Sequence, residues 1–490
     1  MSRRIALSLV SHTNVGKTTL ARTLLGRDIG EVRDAPHVTE FADEHVLIEL
    51  PDGAALCLWD TPGFGDTARL ARRLRSAERP LGWLLSQVWD RVADRPFWST
   101  QQALRHVRTQ SDVVLYLVNA AESPAAAGYV APEMELLGWI GKPVLVLLNQ
   151  LGAPRPAADE AAEVEGWRAH LAGQPLVRGV LPMDAFARCW VQELTLLLAV
   201  EAALEGDARV AMAGLRHAWA AQREAQFVDA MALVAASLAR IAVARETVAD
   251  SGRLRDAARR IGRALGIARV ADDPATIAQQ ALAAALDAEV RDNTGALIAL
   301  HGLRGQAEGE ILQRVAAHFE LRLPLPEGKA AALGGLLTGA LTGLKADLAT
   351  GGLTLGGGLL AGGVLGALGG AGAARAVNLL RGLEQGWAGW SDEALTSMTE
   401  AALLRYLAVA HFGRGRGDWA AGESPPHWRA VVSEALAPHG AALAAIWRRR
   451  GDASALAHEL QPLLLAATRS ALRRLYPGAA VDDGSAQGSR

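Results

Sequence analysis

Lysine is nearly missing from this chain: of 50 basic residues among 490, four are Lys and the rest Arg. Alanine is abundant, so arginine reflects a compositional bias of the coding sequence, and its clusters are weak support for nucleic-acid binding; solvated helix faces account for most of them. An excess of either charge is missing too, at a formal net charge of -2, which removes any bulk electrostatic reason for a polyanion partner. Cysteine occurs only at Cys57 and Cys189, far apart in apolar surroundings. That excludes a disulfide framework and reads as two reduced, packed thiols in a reducing compartment. A secretory leader is not expected either. The apolar run after Met1-Ser2-Arg3-Arg4 is too short and no small-residue cleavage site follows, so the N-terminal domain is expected to stay in the cytosol.

What is present begins at Ser11-His12-Thr13-Asn14-Val15-Gly16-Lys17-Thr18-Thr19, between an apolar run, Ile5 to Val10, and a segment with Leu20, Leu24 and Leu25 at helical spacing that Gly26 would cap. Strand, loop, helix is the context of a phosphate-binding loop. Successive backbone N–H groups and the helix N-terminus would face phosphates, Lys17 would reach the β/γ oxygens, and the Thr18 hydroxyl would ligate Mg²⁺. Ser11 stands where the first glycine of the pattern is usual, and glycine best allows a tight turn there.

Val46 to Leu50 and Ala54 to Trp59 form the next apolar pair, joined by the hairpin signal Pro51-Asp52-Gly53. The second run ends in Asp60-Thr61-Pro62-Gly63, where Asp60 can hold Mg²⁺ through water and the Gly63 N–H can meet a γ-phosphate. Thr39, in the polar segment between loop and hairpin, is the candidate switch residue that would complete the Mg²⁺ shell. Residues 67–109 form a helical insertion, with Arg69, Arg72, Arg73 and Arg75 around Leu70 and Leu74, then an apolar stripe from Trp83 to Val92. Such a stripe more often packs on its own domain than serves as a lid. Strands at Asp112 to Val118, Pro143 to Leu148 and Leu176 to Leu181 alternate with helical segments. That predicts an α/β doubly wound sheet with ligand at the strands' carboxyl ends.

From about Thr195 the strand signals stop. Phe227, Val234, Ile241 and Val248 recur every seven residues, with Met231 and Leu238 between them, predicting one long core helix. Further helical runs are expected over 253–266, 274–319, 391–412 and 426–476. Within this half, Ala330 to Ala374 is dominated by Gly, Ala and Leu, with Gly335, Gly339, Gly343 and then Gly358, Gly362, Gly366, Gly370 at four-residue spacing. Glycine at that density opposes a helix in water but lets helices approach closely in lipid. Leu348 to Ala374 is uncharged and as a helix would reach about 40 Å, enough for a hydrocarbon core of about 30 Å. The expectation is a lopsided membrane hairpin entered from the cytosolic side, with Lys345 and Asp347 near its bend and Trp387 and Trp390 where the chain returns to the surface. The domain plan is therefore 1–195 for the nucleotide domain, 196–329 helical, 330–374 the Gly-rich hairpin, 375–478 helical, and 479–490 a disordered tail.

The motif order Asn14-Val15-Gly16-Lys17-Thr18, Thr39, Asp60-Thr61-Pro62-Gly63, Asn149 resembles the Era and TrmE group of bacterial GTPases over about residues 1–195. The helical half with its glycine-rich core resembles a C-terminal domain of unknown function joined to such a GTPase. The resemblance implies GTP and GDP as ligands, with Asn14, Val15, Gly16, Lys17, Thr18, Thr19, Asp60, Gly63 and Asn149 contacting nucleotide. It implies Lys17, Thr39 and Gly63 as the groups acting on the γ-phosphate, and Thr18, Thr39 and Asp60 as the Mg²⁺ shell. Asn14 occupies the place where the TrmE-like group helps to hold K⁺, a second cofactor; the other reading is a loop-stabilising Asn. Phe64 stands where Ras-like proteins place a catalytic Gln, so hydrolysis is expected to be slow. The base-reading motif, usually Asn-Lys-x-Asp, is Asn149-Gln150-Leu151-Gly152, and losing its carboxylate is expected to relax discrimination against adenine. The leading expectation is a membrane-associated GTPase on the inner face of the cell membrane, with a homodimer through the GTPase domain and no nucleic-acid partner. A soluble RNA- or ribosome-linked GTPase and a scarcely hydrolysing nucleotide-binding scaffold are the alternatives.

Overall fold

The structure is a computed structural model, and it describes residues 3–13, 15–26, 43–65, 67–76, 95–152, 155–185, 189–248, 274–303, 386–412, 425–477 and 479. Asn14, Thr39, the Trp83 to Val92 stripe, the helical run 253–266 and the whole Gly-rich segment lie outside the described residues. The chain divides into two compact units, one of residues 1–225, 410–427 and 472–490, the other of residues 226–409 and 428–471.

The first unit is built on a six-stranded sheet of order β2-β3-β1-β4-β5-β6. Its strands are β1 Arg4–Ser11, β2 Asp43–Glu49, β3 Ala55–Asp60, β4 Val113–Asn119, β5 Val144–Asn149 and β6 Val177–Pro182. β2 runs antiparallel to β3 and the other pairings are parallel. The apolar runs at β1, β3, β4 and β5 become strands because parallel strands bury both faces, which a near-continuous hydrophobic sequence satisfies. Side chains alternate between two cores as the pleat requires. Leu7, Leu9, Leu115, Leu117, Leu145 and Leu147 enter one, and Val10, Val114, Tyr116, Val118, Val146 and Leu148 the other. Helices α1 (Lys17–Leu25), α6 (Trp190–Ala203) and the start of α7 (Gly206–Val243) cover the first core, through residues such as Leu20, Val200 and Leu215. Helices α2 (Thr67–Arg75), α3 (Arg95–Gln110), α4 (Val130–Ile140) and α5 (Ala157–Leu171) cover the second, through Leu70, Leu104, Met134 and Trp167. The insertion's arginines stay on this domain, with Arg69 lying 4.1 Å over the Phe97 ring and Arg75 paired with Glu135. Pro51-Asp52-Gly53 does make the hairpin, with Gly53 at φ 83 and Leu50 N–H bonded to Ala54 O at 2.8 Å.

The second unit is largely helical. It contains α7 from residue 226 on, α8 (Pro274–Leu300), α9 (Asp392–Ala410), α10 (Pro426–Leu436) from Trp428 on, α11 (Gly440–Arg448) and α12 (Ala453–Leu475) up to Ala471. Phe227, Met231, Val234, Leu238 and Ile241 are buried as the heptad spacing predicts. Val248 is not in that helix: α7 ends at Val243, and Arg245–Val248 is a strand, β7, antiparallel to β8, Gly386–Gly389. The expected run 426–476 is broken into three α-helices, by a 3₁₀ turn at Ala437–His439 and by Gly451-Asp452. Trp390 is 3% exposed, with its carbonyl accepting from Arg450, so it is a core residue and not the interfacial anchor expected of it. Arg405, 4% exposed, bonds Asn293, whose amide reaches Leu233 O at 3.0 Å. Burial lowers the Arg405 guanidinium to about 10.

Both cysteines are buried and neither is in a disulfide, and burial, then Glu44, push the Cys57 thiol up to about 11. His106, against Ser8 Oγ at 3.0 Å and the Trp59 ring, is lowered by burial from its ordinary 6.5 to about 4. Between these values the folded state binds fewer protons than the unfolded chain. The stability that neutral His106 contributes is therefore complete above about pH 6.5 and is lost as pH falls towards 4. Urea midpoints of the wild type are expected to drop from pH 7 to pH 5, and those of His106→Gln to drop less.

Candidate nucleotide site

Ser11, Asp60, Asn149 and Pro182 end β1, β3, β5 and β6, so the carboxyl edge of the sheet gathers the residues that the sequence scatters. Ser11 is buried and is not among the described residues with positive φ, so no glycine conformation is needed there. Its hydroxyl instead accepts from Lys17 Nζ at 3.1 Å. Glycine is needed at position 16, where φ is 90 and an added Cβ would come within 2.8 Å of Asn149 Nδ2. From Gly16 the chain enters α1, which ends at Gly26 with φ 64 and a cap to Thr23 O, as the sequence predicts.

Lys17 is 8% exposed, and burial lowers its ammonium against the opposing pull of Asp60 and Glu133. Asp60 is 3% exposed; burial pushes its carboxyl up, while Lys17 and Thr18 pull it down. Its Oδ2 accepts from Thr18 Oγ1 at 2.5 Å, and its Oδ1 is buried without a hydrogen-bond partner. A hydroxyl and an under-satisfied carboxylate beside a phosphate loop fit Mg²⁺, a hard cation that keeps waters and completes its shell with substrate phosphate. Gly63 closes the site: a Cβ there would lie 3.1 Å from Lys17 Nζ and 3.3 Å from Thr13 Cα, so a side chain would crowd both the lysine and the phosphate loop. Phe64 follows with its N–H on Ser11 O at 2.9 Å and its ring fully buried in the second core. Val15 and Thr19 are buried on either side of the Gly16-Lys17-Thr18 turn. Asn149, fully buried, donates from Nδ2 to Val15 O at 2.7 Å and accepts from Ala185 N–H at 3.0 Å through Oδ1.

Two residues that carry no sequence motif join this site. Glu133 of α4 is fully buried and accepts from Tyr116 Oη at 2.6 Å, His12 Nδ1 at 2.8 Å and, at a long 3.4 Å, Thr67 Oγ1. It thus links the phosphate loop to the start of α2, while His12 stacks on Tyr129. Burial pushes the Glu133 carboxyl up, and His12, Tyr116 and Lys17 hold it down. Its signal was a lone Glu on an apolar stripe, Val130, Glu133, Met134, Leu137. Asp184 is the other, at 4% exposure, with Oδ2 accepting Leu151 N–H at 2.8 Å.

A mostly parallel sheet with this loop and this Thr18–Asp60 pair has the layout of a P-loop domain. Residues 6–150 match the family model described as 50S ribosome-binding GTPase. The curated GTPase Der of Azoarcus sp. (strain BH72) is 32% identical over 187 residues, 34% of this chain and 41% of the relative. The chain thus spans less than half the length of that relative. Among solved structures, Era in complex with MgGDPNP and a segment of 16S ribosomal RNA aligns at 18% identity and TM-score 0.31, over 42% of this chain and 59% of that one. Aquifex aeolicus Era bound to GDP and AlF₄⁻ aligns at 19% identity and TM-score 0.31, over 42% and 58%. Residues 6–150, which carry the loop, the Thr18–Asp60 pair and Gly63, are thus the part of the chain that is similar to a GTPase family.

Lys17→Ala is expected to abolish nucleotide binding by calorimetry while the chain stays folded by circular dichroism, with some loss of melting temperature because buried Asp60 and Glu133 lose their cation. Glu133→Ala strands the Tyr116 hydroxyl in the core and is expected to cost about 1–3 kcal/mol in urea unfolding.

Proposed function

We propose that this chain is a guanine-nucleotide switch that hydrolyses GTP slowly to GDP and phosphate. The observation that carries this reading is the Thr18–Asp60 pair, with its unpartnered Asp60 Oδ1, beside the buried Lys17. The match of residues 6–150 to a GTPase family supports it. Thr18 and Asp60 would hold Mg²⁺, with Thr39 as a further ligand, and the ion would neutralise charge building on the phosphates. Lys17 binds the β/γ oxygens with an ammonium that solvent does not screen. The Gly63 N–H would meet the γ-phosphate. Phe64 cannot orient an attacking water, and its ring is turned into the core, so turnover is slow unless another group acts. Asn14 with K⁺ is the proposed supplier of transition-state charge. Multiple-turnover phosphate release is expected to be slow in NaCl and faster in KCl, and to vanish in Lys17→Ala. No release in either salt would leave only a nucleotide-binding scaffold, and equal rates would remove K⁺.

For the partner, we retain a membrane reading resting on Ala330 to Ala374. Among the described residues, two helical stretches are long and apolar enough to cross a bilayer by length and composition, Gly206–Val243 and His427–Arg448, the second interrupted by the 3₁₀ turn at Ala437–His439. The first has 56% of its apolar window inside the protein, which is the behaviour of a core helix. A ribosome-linked role is the second reading, favoured by the description of the matching family and opposed to the expectation that nucleic acid is no partner. Co-sedimentation of full-length protein with liposomes in GTP, lost on deleting 330–374, supports the membrane; sedimentation with ribosomal particles alone supports the second reading.

A further inference from the structure

The usual carboxylate of the base-reading loop is missing at Gly152, whose φ is 81 and whose missing Cβ would meet no described atom within 4 Å. A carboxylate nevertheless stands at this loop. β5 and β6 are neighbouring parallel strands in which Leu148 faces Pro182, so residues 149–152 and 183–185 leave the sheet side by side. Asp184 comes from the second of these segments. Its Oδ2 takes the Leu151 N–H at 2.8 Å, one residue before Gly152. The next residue, Ala185, is fastened by its N–H to Asn149 Oδ1, and Asn149 Nδ2 is fastened to Val15 O in the phosphate loop. The carboxylate is therefore positioned by the same network that positions the phosphate loop, and it is 4% exposed.

We propose that Asp184 is the guanine-reading carboxylate of this site, supplied from the loop after β6 in place of the one absent at Gly152. The inference rests on the GTPase reading above and names the base. An ionised carboxylate accepts at both oxygens, up to about four hydrogen bonds in all, and the Leu151 N–H is one donor to it. Guanine offers two donors side by side on one edge, N1–H and the C2 amino group, which suit a carboxylate in a paired, charge-assisted arrangement. Adenine has a lone pair at N1 and no amino group at C2, so it would set an acceptor against a buried anion. A site with a buried polar group left unpaired rejects such an analogue by about 10⁴-fold or more. Discrimination against adenine is therefore retained, where the altered motif alone predicts that it relaxes.

A carboxylate that merely tied the two loops together would make the same bond to Leu151. The two roles part on xanthine, which carries an oxygen at C2. Asp184→Asn keeps an acceptor for Leu151 N–H and turns the other oxygen into an NH₂ donor that matches the xanthine C2 oxygen. The experiment is displacement of fluorescent GDP from full-length protein by GDP, ADP and XDP, with thermal melting as a check on folding. Wild type is expected to prefer GDP over both others. Asp184→Asn is expected to lose GDP affinity by about a hundredfold and to prefer XDP. Asp184→Ala is expected to lose the base preference, and adding Gly152→Asp to it is expected to restore guanine. An unchanged GDP-to-XDP ratio in folded Asp184→Asn overturns the inference and leaves the GTPase reading standing. Equal GDP and ADP affinity in wild type overturns it as well. Binding of no nucleotide by wild type overturns both.

Discussion

One amide side chain holds the nucleotide site together. Asn149 is wholly out of water, and both ends of its carboxamide are committed, Nδ2 to the carbonyl of Val15 and Oδ1 to the N–H of Ala185. Buried backbone groups of this kind must be paired somewhere. Here a single residue pairs two of them that lie on different loops, and so it fixes the phosphate loop against the segment after β6. Gly16 exists in its form because of this brace, since any side chain at that position would strike the same amide nitrogen.

Around the brace the sheet holds charge away from solvent. Lys17, Asp60 and Glu133 are all buried, and burial drives each towards its neutral form while their mutual attraction opposes it. A fold can carry such a cluster only if its scaffold is stable for other reasons. The strands with two fully apolar faces provide that: the cores formed by Leu7, Leu115 and Leu145 on one side and Val114, Tyr116 and Val146 on the other depend on no ligand.

Five strands of the first unit were legible because each holds an apolar run bounded by turn residues, whereas β2 was read only from Val46 on because Asp43, Glu44 and His45, which also pair with β3, are polar. The phosphate loop, Asp60 and Gly63 were legible because their chemistry is written in short local strings. Val248 was misread for a related reason. Its heptad spacing continues that of Ile241, but the chain has left the helix, and the partner that makes Arg245–Val248 a strand is Gly386–Gly389, far along the sequence. Spacing reports local periodicity and is silent on non-local pairing. Glu133 and Asp184 escaped in the same way, since each acquires its role from neighbours that only the fold supplies. Ser11 looked like a defect in the motif because a tight turn that favours glycine is expected there, whereas Ser11 ends β1 without positive φ.

That serine also bears on the lysine it faces. A glycine in its place would take away the hydroxyl that meets the Lys17 ammonium at 3.1 Å. The loop therefore offers the buried cation an acceptor of its own, and a Ser11→Gly chain would have to hold that charge on the pull of Asp60 and Glu133 alone.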